Sequence, residues 1–202
     1  VGGCCGTSPE TTKEMRNFLQ SIAPMETKKT PRTTPVRPAI VEVPSEVGEA
    51  PVPAEDRSTF AKRLLGGKFC ISVELDPPKG TEAERAVNGA AMLHEAGIDV
   101  VNIADGPRAV ARMGPSALSH LVKQRSPDLE TVVHYCCRDR NLLGMQMDLM
   151  GAHAVGLRNI LAVTGDPPKM GTYPDATAVF DIDSVGLINF IIKHLSKQED
   201  SG

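Results

Sequence analysis

The chain has 202 residues, of which 41% are hydrophobic and only 3% aromatic, and its formal net charge at pH 7 is -3. This composition is close to that of globular proteins and argues against a disordered chain. No dense run of Lys and Arg suggests a nucleic-acid partner, and no apolar run reaches the roughly 20 residues of a membrane span. Five cysteines without a secretion signal indicate reduced thiols, so we expect a cytoplasmic protein.

The first stretch, residues 1–23, combines a Gly/Cys turn with a short helix. A Ser-Pro-Glu sequence at residues 8–10 is typical of a helix start. Cys4 and Cys5 lie between glycines that permit a turn, which would let both sulfurs reach one Zn²⁺. On spacing alone, small buried core cysteines remain the more frequent alternative. Because the chain opens at Val1 inside this pattern, we expect a piece of a longer polypeptide.

The second stretch, residues 24–57, has the composition of a linker. It contains seven prolines, and no aromatic residue occurs between Phe18 and Phe60. Proline removes backbone donors, and the mixture of Thr, Lys and Glu offers little apolar surface to bury. A semi-extended interdomain linker is therefore predicted. A loop inside one domain is disfavoured, because structureless loops of this length are uncommon in compact domains.

The third stretch, residues 58–202, alternates predicted strands and helices. Strands are predicted at residues 70–75, 100–103, 131–137 and 160–163. The predicted helix starts are a Thr81/Glu84 capping box, Pro115, Leu142 and Asp183, with stops at Gly97 and Gly156. Four successive strand–helix units imply parallel strands joined by right-handed crossovers.

Two architectures fit this alternation, a doubly wound sheet and a (β/α)₈ barrel. A complete barrel takes about 250 residues, so only about half of one fits here. No Gly-rich phosphate fingerprint follows the first strand, which counts against a dinucleotide-binding Rossmann domain. Acids and a histidine at the strand ends favour the barrel. The predicted fold is therefore α/β: a partial (β/α)₈ TIM barrel of about four βα units, preceded by a Pro-rich linker and the last strand and helix of another barrel.

Acids followed by paired prolines close the first and fourth predicted strands. Glu74 and Asp76 precede Pro77-Pro78, and Asp166 precedes Pro167-Pro168. Paired prolines stiffen a loop and delay the next helix, so these carboxylates would lie over the carboxyl-terminal mouth of the barrel, where such enzymes place their chemistry. Carboxylates there can transfer protons and stabilise a developing cation. A simple Asp-Pro-Pro turn is equally consistent with the pattern.

The third predicted strand carries His134 and Cys136 on one face and apolar side chains on the other. A lone histidine among apolar residues is more often a hydrogen-bonded core group than a catalyst. From the pattern alone, the core interpretation is preferred for His134.

Two parts of the chain resemble known families. The Gly-Gly-Cys-Cys-Gly-Thr signature at residues 2–7 resembles the C-terminal end of the homocysteine S-methyltransferase family. That resemblance implies that Cys4 and Cys5 are two of three thiolates that hold a Zn²⁺ and activate the homocysteine sulfur, with the third cysteine upstream. From Phe60 onward the chain resembles the N-terminal half of the methylenetetrahydrofolate reductase family, a flavin-containing (β/α)₈ barrel. The residues that carry this second resemblance are Glu74 before Pro77-Pro78, His134-Tyr135-Cys136-Cys137, and residues 156–161 leading into Gly165-Asp166.

Together the two resemblances imply a bifunctional protein of methionine synthesis. NAD(P)H would reduce FAD, and hydride would then pass to 5,10-methylenetetrahydrofolate to give 5-methyltetrahydrofolate; zinc-dependent methyl transfer to homocysteine would give methionine. By resemblance, Glu74 is the general acid that assists opening of the folate ring to a 5-iminium cation, and Asp166 stabilises that cation. The positions that match FAD contacts are Asn102, His134, Val163, Thr164, Gly165, Asp166 and Phe180.

Three positions depart from the family pattern, and the function retains an alternative. Asp76 stands where many relatives have an aromatic residue, Thr164 where Arg is frequent, and Phe180 where Tyr is frequent. The alternative is a non-catalytic α/β binding module. The 202 residues alone are expected neither to retain FAD nor to turn over, because half a barrel exposes two sheet edges and an open interior. Small molecules are the expected partners, and homo-oligomerisation is left open.

Overall fold

The computed structural model describes residues 52–195, with only the backbone of residue 194, together with four helical residues near the N-terminus. Those four are Glu10, Lys13, Glu14 and Asn17. They belong to one compact unit, Val1–Arg37, whereas residues 52–195 belong to a second, Pro38–Gly202. Cys4, Cys5, the Ser-Pro-Glu helix start and the linker up to residue 51 lie outside the described residues, so the domain boundaries at 23 and 57 stay predictions.

Strands and helices alternate through the second unit. The strands are β1 (Ser72–Leu75), β2 (Val100–Ile103), β3 (Glu130–Cys136) and β4 (Asn159–Val163). The α-helices are α1 (Thr59–Leu65), α2 (Glu84–Glu95), α3 (Pro115–Arg125), α4 (Leu142–Ala154) and α5 (Ser184–Phe190), the last continuing as a π-helical turn over Ile191–Leu195. Short 3₁₀ helices span Ala54–Asp56, Pro107–Ala109 and Pro168–Met170.

The four strands form one parallel sheet in the order β1-β2-β3-β4. A doubly wound sheet reverses its strand order at a switch point and carries helices on both faces. Here all the buried strand side chains that pack against the helices point to the same face of the sheet. They are Val101 and Ile103 from β2 and Val133 and Tyr135 from β3. The predicted α/β fold with parallel strands is confirmed, and its one-sided helical layer is that of a partial TIM barrel.

The apolar core lies between the sheet and this helical layer. Val101, Ile103 and Leu118 belong to a cluster that joins β2 with α2 and α3. Tyr135 and Leu187 belong to another that joins β3 with α4 and α5. Each such fully buried side chain contributes about 1.5–3 kcal/mol relative to an exposed one, which holds the layers together despite the scarcity of aromatic residues.

The opposite face of the sheet carries the polar side chains. Glu74 of β1 pairs in register with Asn102 of β2, and His134 of β3 pairs with Leu161 of β4. Because side chains alternate along a strand, these residues point away from the helical layer, toward what is the interior side of a barrel. The sequence alternation of β3 therefore predicted the correct face for His134.

The helix start signals were predicted with mixed success. Pro115 opens α3, and the Asp183 carboxylate caps α5 by accepting the N–H of Gly186 at 2.7 Å. The Thr81/Glu84 capping box was wrong. Helix α2 begins at Glu84, and the residue before it makes no side-chain cap. Glu84 is thus the first helical residue rather than the third, so its carboxylate cannot reach back as a capping box requires.

β2 has the predicted boundaries, whereas those of the other three strands differ from the predictions by one or two residues. β1 begins at Ser72 rather than residue 70, because its neighbour β2 begins only at Val100. Ile71 is instead held by Asp99, whose carboxylate accepts the Ile71 N–H at 2.7 Å. β3 and β4 each begin one residue earlier than predicted.

Candidate active site

A cavity of about 140 Å³ lies at the carboxyl ends of the strands. We call it the acidic cavity. It is lined by Glu74, Ala104, Asp105, Gly106, Pro107, His134, Arg138, Val163, Gly165 and Asp166. Five of these residues, Glu74, His134, Val163, Gly165 and Asp166, are site residues predicted from the sequence, and the fold brings them together from three strands.

The two predicted catalytic acids have different surroundings. Glu74 is exposed on the inner face of β1, with no hydrogen bond or ion pair recorded among the described residues. Asp166 follows β4 and is half-buried; its Oδ2 accepts the backbone N–H of Arg108 at 2.8 Å. Arg138, whose side chain is 6% exposed, donates from Nη1 to the Asp166 backbone oxygen at 3.1 Å. Asp166 is therefore fixed at the cavity wall, whereas Glu74 is free to meet a ligand.

His134 has an unsatisfied nitrogen at this cavity. Its Nε2 is buried and has no hydrogen-bond partner in the described part of the chain. Burial lowers the pKa of His134 from its usual 6.5, and the charges of Glu74 and Asp105 oppose that shift. The imidazole is thus neutral at pH 7. The preferred interpretation from sequence, a hydrogen-bonded core histidine, does not account for this unpaired nitrogen, because an alternating pattern gives the face of a residue but not its partners.

Asp105 is a site residue that the sequence analysis missed. It lies two residues after the end of β2, its side chain is 9% exposed, and its Oδ2 accepts the Cys136 N–H and an Arg140 Nη1–H, each at 2.9 Å. Arg140 also binds Asp148 through Nε at 2.8 Å and lies 4.8 Å from the centre of the Tyr135 ring. The network ties the ends of β2 and β3 together. An acid near the end of a strand, the pattern noticed at β1 and β4, was the signal that could have found it.

The loops after β2 and β4 are bonded to each other. The Arg108 N–H reaches Asp166, as described above, and the Thr172 N–H donates to the Ala109 carbonyl oxygen at 3.1 Å. Gly171 lies so close to Ala109 that an added Cβ would stand 1.8 Å from that carbonyl oxygen. Arg108 and Ala109 both adopt φ of 57°, a left-handed conformation that L residues rarely occupy. The two loops therefore share one wall of the cavity.

Gly165 allows the chain to turn sharply after β4. Its φ is 101°, and an added Cβ would lie 2.2 Å from the Cys136 Sγ. Cys136 is buried, and burial raises the pKa of its thiol, so the sulfur is a protonated packing group rather than a nucleophile. A glycine is required at 165 both for its backbone conformation and for this close approach.

Three predicted cofactor positions lie outside the acidic cavity. The Asn102 amide bonds the Ser72 hydroxyl on the inner face of the sheet. The Thr164 hydroxyl bonds Ser184 at 3.1 Å, at the start of α5. Phe180 packs against the apolar cluster of α4 and α5. Their role as FAD contacts stays a prediction.

The described residues contain no group of three or more His, Cys, Asp or Glu side chains able to hold a metal ion. Cys4 and Cys5 lie outside that part of the chain, so the predicted zinc site is untested. No helix among the described residues is both long and apolar enough to cross a lipid bilayer.

A one-sided parallel α/β sheet with carboxylates and a neutral histidine at the carboxyl ends of its strands defines an enzyme site of the TIM-barrel type. A family model described as methylenetetrahydrofolate reductase matches residues 59–200. The chain therefore belongs to the methylenetetrahydrofolate reductase family, a family of oxidoreductases of one-carbon metabolism that generally bind FAD. A comparison with curated proteins gives no significant match.

Proposed function

We propose that this chain supplies the first half of a barrel that reduces 5,10-methylenetetrahydrofolate to 5-methyltetrahydrofolate with electrons from NAD(P)H. The observation that carries the proposal is the convergence of Glu74, His134 and Asp166 on one cavity at the carboxyl ends of the strands. Family membership supports the reductase class. A non-catalytic binding module would not require two carboxylates and an unsatisfied imidazole at a single point.

Glu74 is the proposed general acid. Reduction requires the bridging carbon of the substrate to be released from N10, which needs a proton there as the ring opens. An exposed carboxyl group on the inner face of β1 is accessible to a ligand. General acids of this kind contribute typically about 10²–10⁴-fold to rate.

Asp166 is proposed to stabilise the 5-iminium cation that ring opening produces. One of its oxygens is occupied by the Arg108 N–H at 2.8 Å, which fixes the carboxylate without neutralising its charge. A fixed carboxylate costs no reorganisation when positive charge develops nearby, and such preorganised electrostatic stabilisation is commonly a large part of catalysis. Asp105 lines the same cavity, but its carboxylate is paired with Arg140, so Asp166 is the fixed acid without a cationic side-chain partner among the described residues.

The residues present fit a flavin. His134 offers a buried ring nitrogen with no partner among the described residues, and a bound heteroaromatic ligand would supply one. FAD, when bound, supplies hydride transfer between NAD(P)H and the folate. Val163 and Gly165 would form the wall on the β4 side, and the neutral His134 would hydrogen-bond the ligand without adding positive charge.

We further propose, from the sequence signature alone, that residues 1–23 end a homocysteine S-methyltransferase domain in which Cys4 and Cys5 bind Zn²⁺. Thiolates are soft ligands that suit zinc and would activate the homocysteine sulfur. Zinc content of the full-length protein tests this, since Cys4→Ser and Cys5→Ser should each lower it while Cys70→Ser should not. Cytoplasmic location and homo-oligomerisation stay predictions.

The reductase proposal is tested by separating its two half-reactions in the full-length protein. Glu74→Gln should lower folate reduction by about 10²-fold or more, because the amide cannot donate the required proton. Flavin reduction by NAD(P)H should stay within a factor of about two, since that step needs no acid from the protein. The matched control is Glu95→Gln, an exposed glutamate at the end of α2 and outside the cavity. Equal loss in both half-reactions, or no loss in either, would contradict the acid role.

A further inference from the structure

A second cavity, of about 250 Å³, adjoins the acidic cavity. We call it the arginine cavity. Its lining includes Asp105, Gly106, Arg112, Arg138, Asp139 and Arg140. The two cavities share Asp105, Gly106 and Arg138, so a single extended ligand can reach from one into the other.

The two cavities carry opposite charge. The acidic cavity has three carboxylates, Glu74, Asp105 and Asp166, against one arginine, Arg138. The arginine cavity has three guanidinium groups against two carboxylates, and its charged lining residues are Arg112, Arg138, Arg140, Asp105 and Asp139. A ligand with a ring that becomes cationic at one end and an anionic group at the other matches this arrangement.

Arg112 is the least satisfied of the three arginines. Its Nη1 donates to the Pro77 carbonyl oxygen at 2.7 Å, and its Nη2 pairs with Asp76 at 3.0 Å. Its Nε is buried and has no hydrogen-bond partner among the described residues. The Asp76 side chain is 51% exposed, so water screens this ion pair and weakens the carboxylate's hold on the guanidinium. A buried donor without a partner is costly, and an incoming oxyanion would relieve that cost.

The other two arginines are committed elsewhere. Arg138 donates to both carboxylate oxygens of Asp139, each at 2.7 Å. Arg140 is held between Asp105 and Asp148. Their charges are balanced by these carboxylates, whereas Arg112 keeps an N–H group that no described residue accepts.

We propose that the arginine cavity binds an oxyanion carried by the same ligand whose ring lies in the acidic cavity, with Arg112 as its principal donor. The inference rests on the proposed function, because the reductase site defines which ligand occupies the acidic cavity. The shared chemistry is a carboxylate or phosphate oxygen. The two sources are the glutamate tail of the folate and the phosphates of a flavin or nicotinamide dinucleotide.

The test measures binding directly in the full-length protein by titration calorimetry. N-(4-aminobenzoyl)-glutamate probes for the folate tail, and ADP probes for a dinucleotide phosphate. Arg112→Gln should raise the Kd of one probe by about ten-fold, the cost of losing a charge-assisted hydrogen bond. Arg112→Lys should recover part of that loss, and the control Arg125→Gln, at the exposed end of α3, should leave both Kd values unchanged.

A second variant keeps the test decisive if Arg112→Gln perturbs folding. Asp76→Asn removes the carboxylate that competes for Arg112, so it should tighten binding of the same probe by a few-fold. A change confined to the benzoylglutamate assigns the site to the folate tail, and one confined to ADP assigns it to a phosphate. No binding of either probe by the unmodified protein, or Kd values indifferent to both Arg112 and Asp76, would overturn the proposal. Because no turnover is needed, a failure here is separate from a failure of the reductase assignment, which Glu74→Gln tests.

Discussion

Replacement of Gly165 by alanine should destabilise the protein through two separable effects. The φ of 101° at this position is unfavourable for a residue with a Cβ, at a cost of about 1–2 kcal/mol in left-handed backbone. The new Cβ would also lie 2.2 Å from the Cys136 Sγ, far inside the contact distance of about 3.5–4.0 Å. Relieving such overlap in a packed core costs about 1–3 kcal/mol. We therefore expect a loss of about 2–5 kcal/mol in the free energy of unfolding.

Two further glycines isolate these effects. Gly156 has a φ of 85° and no atom within 4 Å of an added Cβ, so Gly156→Ala should show the backbone cost alone. Gly80 has neither a positive φ nor a close neighbour, so Gly80→Ala should be nearly neutral. Urea unfolding monitored by circular dichroism gives all three values.

A double-mutant cycle then identifies the clash. Cys136→Ala removes the sulfur, so the double variant Gly165→Ala/Cys136→Ala should lose less stability than the sum of the single variants, by about 1–2 kcal/mol. Additive losses, or equal losses for Gly165→Ala and Gly156→Ala, would refute the steric argument and leave only the backbone conformation.

Three other predictions follow from the charges and burial at the site. The pKa of His134 is lowered in the folded state, so the unfolded chain binds more protons below pH 6.5 and stability should fall as the pH drops through that value; His134→Gln should flatten this dependence in pH-resolved urea titrations. Asp105→Ala leaves the half-buried Arg140 without the more buried of its two carboxylate partners and should cost about 3 kcal/mol in the same assay, whereas Asp128→Ala, at an exposed position, should cost almost nothing. Burial raises the pKa of the Cys137 thiol to about 11, so Ellman's reagent at pH 8 should leave Cys137 unmodified until denaturant is added, as peptide mass spectrometry would show.

The fold could be predicted from the sequence because its signals are local and repeated. The apolar run at residues 100–103 matches β2 residue for residue, and the proline at 115 and the acid at 183 start helices for reasons that depend only on their neighbours. The Thr81/Glu84 spacing failed because a capping box needs a specific helix start, and that start depends on how the loop after β1 packs.

The site could be predicted only in part, because contacts between side chains that are far apart in the sequence produce no local sequence pattern. Strand-end acids placed Glu74 and Asp166 at the mouth of the sheet, since parallel strands bring their carboxyl ends to one edge. Asp105 was missed because no paired prolines follow it, unlike the acids after β1 and β4, and because its partner Arg140 is 35 residues away. The orientation of Phe180, into the apolar cluster rather than the acidic cavity, likewise depends on the packing of α4 and α5.

The hydrogen bonds between the loops after β2 and β4 couple the positions of these two loops at the cavity wall. The Arg108 N–H donates to Asp166, and the Thr172 N–H donates to the Ala109 carbonyl oxygen. Outward movement of one loop alone would therefore break both hydrogen bonds. An insertion or deletion in one loop would therefore also displace the other. The length of each loop is constrained by the other loop, although more than fifty residues separate them in the sequence.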